Sequence, residues 1–116
     1  MYLTPQCSGS NTVRFAITTS GSGGEQKING NAALSSGKWT HAAVTFNGST
    51  GILYVDGVEV GRNSNMTLTP DSLGVTTQNY IGKSQWPDPY LNGRVDDFRI
   101  YSDVLSTTEI AELANQ

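Results

Sequence analysis

Apolar and polar residues alternate with a period of two along most of the first half of the chain, as they do in half-buried β-strands. Residues 13–18 (VRFAIT), 39–46 (WTHAAVTF) and 52–60 (ILYVDGVEV) carry the pattern most clearly. The last segment contains Asp56-Gly57, a pair that tolerates the positive φ of a type I′ turn. The pattern therefore predicts three strand-forming segments, with a tight hairpin turn inside the third.

Two further strands are predicted from shorter segments. Residues 25–28 form a polar strand that ends at the Asn-Gly turn of residues 29–30, and residues 79–82 (NYIG) form the second. The chain that follows contains Pro87 and Pro89. Because proline cannot donate to a strand ladder, these residues exclude a central strand there.

Residues 95–101 (VDDFRIY) predict a strand with an irregularity. The apolar residues Val95 and Phe98 lie three positions apart, which breaks the period of two. One extra residue in a strand, a β-bulge, has this effect. We therefore expect a bulge near Asp96 and Asp97.

Only the C-terminal residues predict a helix. Ser106 is followed three positions later by Glu109, the spacing of a capping box in which each side chain binds the other residue's amide. Leu105 and Ile110 occupy the two positions of a hydrophobic staple. We predict a short helix over about residues 107–115 on a chain that is otherwise an all-β, two-sheet antiparallel sandwich.

Composition limits the class of protein. The chain has 116 residues, which suits one domain with a core of its own and excludes the larger enzyme folds. It contains no apolar run of about 18 residues, so we expect no membrane span. A net charge of −3 with seven Lys and Arg argues against a nucleic-acid partner.

Only 15% of the residues are charged, and Ser, Thr, Asn and Gly take their place. This composition is typical of secreted β-domains, because cytosolic proteins carry about a quarter charged residues. We expect an extracellular protein, although the first residues, MYLTPQCSGS, lack the basic region and apolar run of a signal peptide.

Catalytic groups are sparse, so we expect no enzymatic activity. Glycan hydrolysis needs two carboxylates about 5–10 Å apart. The glutamates Glu25, Glu59, Glu109 and Glu112 lie in separate predicted elements. Cys7 is the only cysteine, and a thiol nucleophile would depend on the single histidine, His41, as its base. His41 itself is interpreted as a hydrogen-bonded strand residue.

The order of five segments resembles a known family. These segments are residues 39–46, 53–57, 79–82, 93–101 and 105–110. Together they resemble the C-terminal half of a laminin-G-like, concanavalin A-like jelly-roll domain, of the kind appended to bacterial secreted glycoside hydrolases. The resemblance implies one jelly-roll domain over residues 1–116, with a short C-terminal helix.

Domains of that family are usually longer than this chain, so the resemblance implies that the N-terminal strands of the full domain are missing. The chain is then a fragment of a larger protein, a minimal version of the family domain, or one half of a sandwich that a second copy completes. A half sandwich would leave strand edges and an apolar face exposed. We therefore expect a homodimer.

A sugar-binding site is predicted where aromatic and amide side chains concentrate. Aromatic rings stack on the C–H faces of sugars, while amides and carboxylates bind the hydroxyl groups. The candidate carbohydrate-binding residues are Trp86, Tyr90, Tyr80, Asn79, Gln85 and Asp88. The alternative is that Trp86 packs over the edge of the sandwich. The other tryptophan of the chain, Trp39, is predicted to pack over the hydrophobic core and shield it from solvent.

A metal site is predicted only through the resemblance. It implies that an aspartate of the Gly-x-Val-Asp-Asp motif, Asp96 or Asp97, helps to hold a structural calcium ion with ligands from the N-terminal part of the domain. The alternative is that Asp96 binds local amides at the bulge, while Asp97 pairs with Arg94 or Arg99.

The function that follows is a non-catalytic, lectin-like module, which would target a glycan-degrading protein to its polysaccharide or oligosaccharide. The alternative is a structural or protein–protein interaction sandwich with no glycan ligand. Burial of the loop from Trp86 to Tyr90 against the core would favour that alternative.

Overall fold

A computed structural model describes all 116 residues and contains two three-stranded antiparallel sheets and one helix. Sheet A has the order β1-β2-β3, and sheet B has the order β4-β5-β6. The strands are β1 (Tyr2–Thr4), β2 (Arg14–Ile17), β3 (Gln26–Asn29), β4 (Ala42–Asn47), β5 (Thr50–Val55) and β6 (Val58–Asn63). Helix α1 spans Thr107–Ala114, and short 3-10 turns span Ser22–Gly24 and Pro70–Leu73. The predicted all-β sandwich with a short C-terminal helix is confirmed.

The turn between β5 and β6 has the predicted geometry. Asp56 has a φ of 49° and Gly57 a φ of 81°, the positive values that a type I′ turn requires. The Asp56 carboxylate accepts hydrogen bonds from the His41 amide at 2.9 Å and from the Lys38 ammonium group at 3.2 Å. The His41 amide, and after it Lys38, lowers the pKa of Asp56. This hairpin end is therefore tied to the segment that leads into β4.

The core lies between the two sheets. Its buried side chains are Val13, Phe15, Ile17, Ile28, Leu53 and Met66. Phe15 of sheet A meets Phe46 of sheet B edge-to-face, with ring centroids 5.5 Å apart. Because β2 and β5 are the central strands, their inward-facing residues are covered on both sides.

The sheets approach closely where β3 passes β6. A Cβ atom added to Gly61 would lie 2.1 Å from the Asn29 carbonyl oxygen. The Asn63 side-chain amide donates to the Lys27 carbonyl at 3.0 Å. Glycine at position 61 is thus required for this contact between backbones.

Helix α1 begins at the predicted capping box. The Glu109 amide donates to Ser106 Oγ at 3.3 Å, and the Ser106 amide donates to Glu109 Oε2 at 2.7 Å. Ile110 is buried, and a Cβ atom at Gly57 would lie 3.0 Å from Ala111 Cα. The helix therefore packs against the β5–β6 turn.

The prediction of strands over residues 79–82 and 95–101 is wrong. Residues 75–104 form no strand or helix, and every residue from 92 to 104 is exposed. No backbone group of residues 92–104 forms a hydrogen bond with another backbone group. An alternating pattern becomes a strand only beside a neighbour that pairs with it, and none pairs here. Asp97, at the predicted bulge, does leave the extended conformation, with a φ of 54°.

The predicted role of Trp39 in sealing the core is also wrong. Trp39 is 65% exposed. The strand predicted over residues 39–46 begins at Ala42 instead, so Trp39 lies outside the sandwich.

Candidate functional site

The predicted sugar-binding residues lie on or beside a loop that is closed at its base. The Leu91 amide donates to the Gly82 carbonyl at 2.8 Å, which brings the ends of residues 82–91 together. Gly82 has a φ of 81°, a value that favours glycine. We call residues 79–91 the aromatic loop.

Ser84 organises the tip of the aromatic loop. Its hydroxyl accepts from the Trp86 amide at 2.9 Å and donates to Asp88 Oδ2 at 2.6 Å. Pro87 and Pro89 restrict the same stretch, because each fixes its own φ. The tip therefore has local constraints although it has no regular secondary structure.

The three aromatic side chains of the loop face solvent. Tyr80 is 47% exposed, Trp86 is 64% exposed and Tyr90 is 74% exposed. In this structure Trp86 does not pack over the edge of the sandwich, which was the alternative interpretation of that residue. The rings present the kind of open apolar surface on which sugar rings stack.

Lys83 lies close to two of the aromatic rings. It was not among the predicted site residues. Its ammonium nitrogen lies 4.4 Å from the ring centroid of Tyr80 and 5.9 Å from that of Tyr90. Both distances are within the range of cation–π attraction. No sequence pattern marks this lysine, because it meets Tyr90 only when the loop closes.

The polar candidate residues differ in how many hydrogen bonds their side chains form within the protein. The Asn79 side chain accepts from the Thr76 hydroxyl at 2.8 Å and donates to the Thr76 carbonyl at 3.1 Å. Asp88 accepts from Ser84, which leaves its second oxygen without a side-chain donor. The exposed Gln85 amide forms no hydrogen bond within the chain. Gln85 and Asp88 are therefore the polar groups most open to a ligand.

Asp96 and Asp97 have local partners, as the alternative to calcium binding predicted. Asp96 Oδ1 accepts from the Asp97 amide at 2.8 Å. The Arg99 guanidinium holds both oxygens of Asp97, at 2.8 and 2.7 Å, and also donates to Tyr101. The hydrogen bonds to Tyr101 and Asp97 raise the pKa of Arg99.

These two aspartates do not make a calcium site by themselves. Calcium takes six to eight oxygen ligands, and no group of three or more acidic, histidine or cysteine side chains is gathered anywhere in the chain. Calcium would also have to displace Arg99 from Asp97. Calcium binding at Asp96 and Asp97 stays a prediction of the sequence.

Two of the four glutamates, Glu59 and Glu109, accept hydrogen bonds from local partners. Arg62 donates to both oxygens of Glu59 at 2.8 Å and lowers its pKa. The Ser106 amide lowers the pKa of Glu109. A lowered pKa keeps a carboxylate ionised at neutral pH, so these groups are poor proton donors.

A small cavity and a shallow groove lie away from the aromatic loop. A cavity of about 90 Å³ is lined by Val13, Leu34, Lys38, Thr40, Val55 and Val60, among others. It would hold roughly three water molecules. A shallow groove of about 210 Å³ lies between Tyr101 and helix α1. Neither depression is lined by a residue of the aromatic loop, so the predicted sugar-binding residues lie on an open surface.

Helix α1, the one α-helix of the fold, has eight residues and is too short to span a bilayer.

Comparisons with known proteins agree with the resemblance read from the sequence. The family model Laminin_G_3, described as the concanavalin A-like lectin/glucanases superfamily, matches residues 2–111. A 2.1 Å crystal structure of residues 221–444 of an S-layer domain-containing protein from Clostridium thermocellum ATCC 27405 is similar, with a TM-score of 0.63 and 41% identity. The match covers 94% of this chain but 59% of that one, so this chain spans less than two thirds of its structural relative. A search of curated proteins found no match.

Proposed function

Since the chain belongs to the concanavalin A-like lectin/glucanases superfamily, we propose that it is a non-catalytic carbohydrate-binding module. The observation that carries the proposal is the aromatic loop, where Tyr80, Trp86 and Tyr90 all expose their rings around a closed and hydrogen-bonded turn. Single exposed apolar residues are common, whereas several that cluster on one loop are typical of an interaction surface.

The local constraints on the loop support binding, because a site that is already ordered loses less entropy when it captures a ligand. Ser84 and the two prolines restrict the tip, and Lys83 contacts both tyrosine rings. Trp86 would stack on a sugar ring, while Gln85 and Asp88 would bind its hydroxyl groups. The site would follow the surface of a glycan chain rather than enclose one sugar.

The role of such a module is targeting. A weak contact with a polysaccharide raises the effective concentration of whatever protein is joined to the module. We propose a glycan-degrading protein as that partner, in an extracellular or cell-surface setting. The low content of charged residues supports this setting, as does the S-layer domain-containing relative.

Replacement of Trp86 by alanine tests the proposal. We expect wild-type protein to be retarded by at least one of arabinan, xylan, galactan or β-glucan in affinity gel electrophoresis. Trp86→Ala should weaken that retention by about tenfold or more, because the ring is the largest contact surface of the loop. Trp39→Ala is the matched control, since Trp39 is equally exposed but lies outside the loop.

Two results would overturn the proposal. One is a wild-type protein that none of the four polysaccharides retards and that stays unbound on a glycan array. The other is a Trp86→Ala variant that migrates like the wild type on a polysaccharide that binds. Release of reducing ends from any of the four would contradict the non-catalytic part of the proposal.

A protein–protein interaction sandwich without a glycan ligand is the second candidate function. It is favoured by a different observation, the exposed apolar side chains of residues 92–104. The glycan array separates the two candidates, because only the first predicts binding there.

A further inference from the structure

Asparagine followed directly by glycine occurs three times in the chain, as Asn29-Gly30, Asn47-Gly48 and Asn92-Gly93. Such a pair is chemically labile, because glycine has no side chain that keeps its backbone nitrogen away from the preceding carboxamide. The fold decides whether a given pair reacts, since it can hold that nitrogen and that carboxamide in place. The first two pairs lie in the sandwich, and the fold holds them very differently.

Asn29-Gly30 is fixed at both reacting groups. The Gly30 amide, whose nitrogen would attack, donates to the Val13 carbonyl at 2.8 Å. The Asn29 side-chain oxygen accepts from Arg14 Nε at 2.6 Å, and Asn29 pairs with Arg14 in the ladder between β2 and β3. A Cβ atom on Gly30 would run into the Val13 side chain, so this glycine is also closely packed.

Asn47-Gly48 is open at both reacting groups. Asn47 is exposed at the end of β4, and its carboxamide forms no hydrogen bond within the chain. The Gly48 amide donates to no backbone carbonyl. A Cβ atom added to Gly48 would have no atom within 4 Å, so the space around this glycine is empty.

The backbone at this position can move. Gly48 and Ser49 form the two-residue turn between β4 and β5, and Gly48 has a φ of 60°, as the first residue of a type II′ turn does. Asn47 pairs with Thr50 at the last position of the ladder, where strand pairing opens at the lowest cost in free energy. Rotation of the Asn47 backbone and side chain then brings the Gly48 nitrogen to the carboxamide carbon.

We propose that Asn47 is a site of spontaneous deamidation in the folded protein, whereas the fold protects Asn29. The Gly48 nitrogen loses its proton and forms a bond to Cγ of Asn47, and the carboxamide nitrogen leaves as ammonia. Water then opens the resulting cyclic imide at either carbonyl, which yields aspartate or isoaspartate. The reaction needs no co-reactant other than water. Asn92-Gly93 lies outside both sheets and is no part of the proposal.

Both products alter the end of the hairpin. Aspartate adds a negative charge to a chain whose net charge is already −3. Isoaspartate lengthens the main chain by a methylene group, which displaces Ser49 in the turn. The Ser49 carbonyl accepts from the Met66 amide at 2.8 Å, and the Met66 side chain belongs to the core. Isoaspartate at position 47 therefore loosens the packing of Met66.

Peptide mapping by mass spectrometry, after incubation in mildly alkaline buffer at physiological temperature, tests the proposal. Trypsin cleaves after Lys27, Lys38 and Arg62, so Asn29 and Asn47 fall on separate peptides. In the folded protein, Asn47 should be converted at least about tenfold faster than Asn29, because a hairpin end opens at much lower cost than the β2–β3 ladder. In urea, where the fold protects neither residue, the two rates should become similar.

Two results would overturn the proposal. One is an equal rate at Asn47 and Asn29 in the folded protein. The other is an Asn47 that stays unmodified in the folded protein over a period in which it reacts in urea.

Asn47→Ser is the matched variant for the effect on the sandwich, because it removes the carboxamide from the same turn. Labelling by an isoaspartate-specific methyltransferase measures how much of the wild type has been converted. On ageing, the melting temperature of the wild type should fall by more than that of Asn47→Ser. Both proteins keep Asn92, so a reaction there affects them equally. An equal fall in the two proteins would show that the predicted effect on Met66 is wrong.

Discussion

At the scale of single residues, Gly61 is the position where the fold tolerates no side chain. A Cβ atom there would meet the Asn29 backbone at 2.1 Å, and backbone cannot move aside as a flexible side chain can. Gly61 looks in the sequence like any glycine of a strand. Its importance comes from β3, which lies more than thirty residues away in the chain.

We expect Gly61→Ala to lower the free energy of unfolding by about 2–3 kcal/mol, since the sheets must separate or distort. Urea unfolding followed by far-UV circular dichroism measures the change. Gly9→Ala is the control, because no atom lies within 4 Å of its added Cβ. An unfolding midpoint of Gly61→Ala equal to that of Gly9→Ala would contradict the packing described between β3 and β6.

At the scale of elements, helix α1 shows what local sequence can predict. Ser106 and Glu109 were sufficient to place its start, because a capping box involves only residues three positions apart. The β5–β6 hairpin was predictable for the same reason. Residues 79–82 and 95–101 also have the pattern of strands, but they lack a partner strand, which no local pattern can supply.

Ser106→Ala should destabilise the protein by about 1 kcal/mol, the usual cost of a lost helix cap. For a domain of this size the melting temperature should fall by roughly 4 °C. Ser36→Ala, in an exposed turn, is the control and should melt like the wild type. If Ser106→Ala also melted like the wild type, helix α1 would not be part of the cooperative unit.

At the scale of the whole molecule, the number of aromatic loops on one particle would set how strongly it holds an insoluble glycan. Two weak sites on one polymer bind more tightly than one. The homodimer expected from the sequence would carry two aromatic loops, so a dimeric protein should be retained on insoluble polysaccharide more strongly than its affinity for a short oligosaccharide implies. Sedimentation gives the oligomeric state, a pull-down assay the retention and calorimetry the affinity. A dimer that is retained no more strongly than this affinity implies would show that the loops act singly.

The sequence by itself determined those features that depend on near neighbours along the chain. These include the sandwich strands β2, β4, β5 and β6, the turn at Asp56-Gly57 and the cap of helix α1. The concentration of aromatic and amide residues in the aromatic loop was also visible. Periodicity, turn chemistry and capping all act over a few residues, so reading the chain locally is enough to find them.

Only the tertiary structure decided the features that depend on distant contacts. It exposed Trp39 to solvent and brought Lys83 close to the rings of both Tyr80 and Tyr90. It also left residues 92–104 unpaired. Burial and strand pairing depend on which segments contact each other in space. The free energy of those contacts is a property of the whole fold rather than of any stretch of sequence.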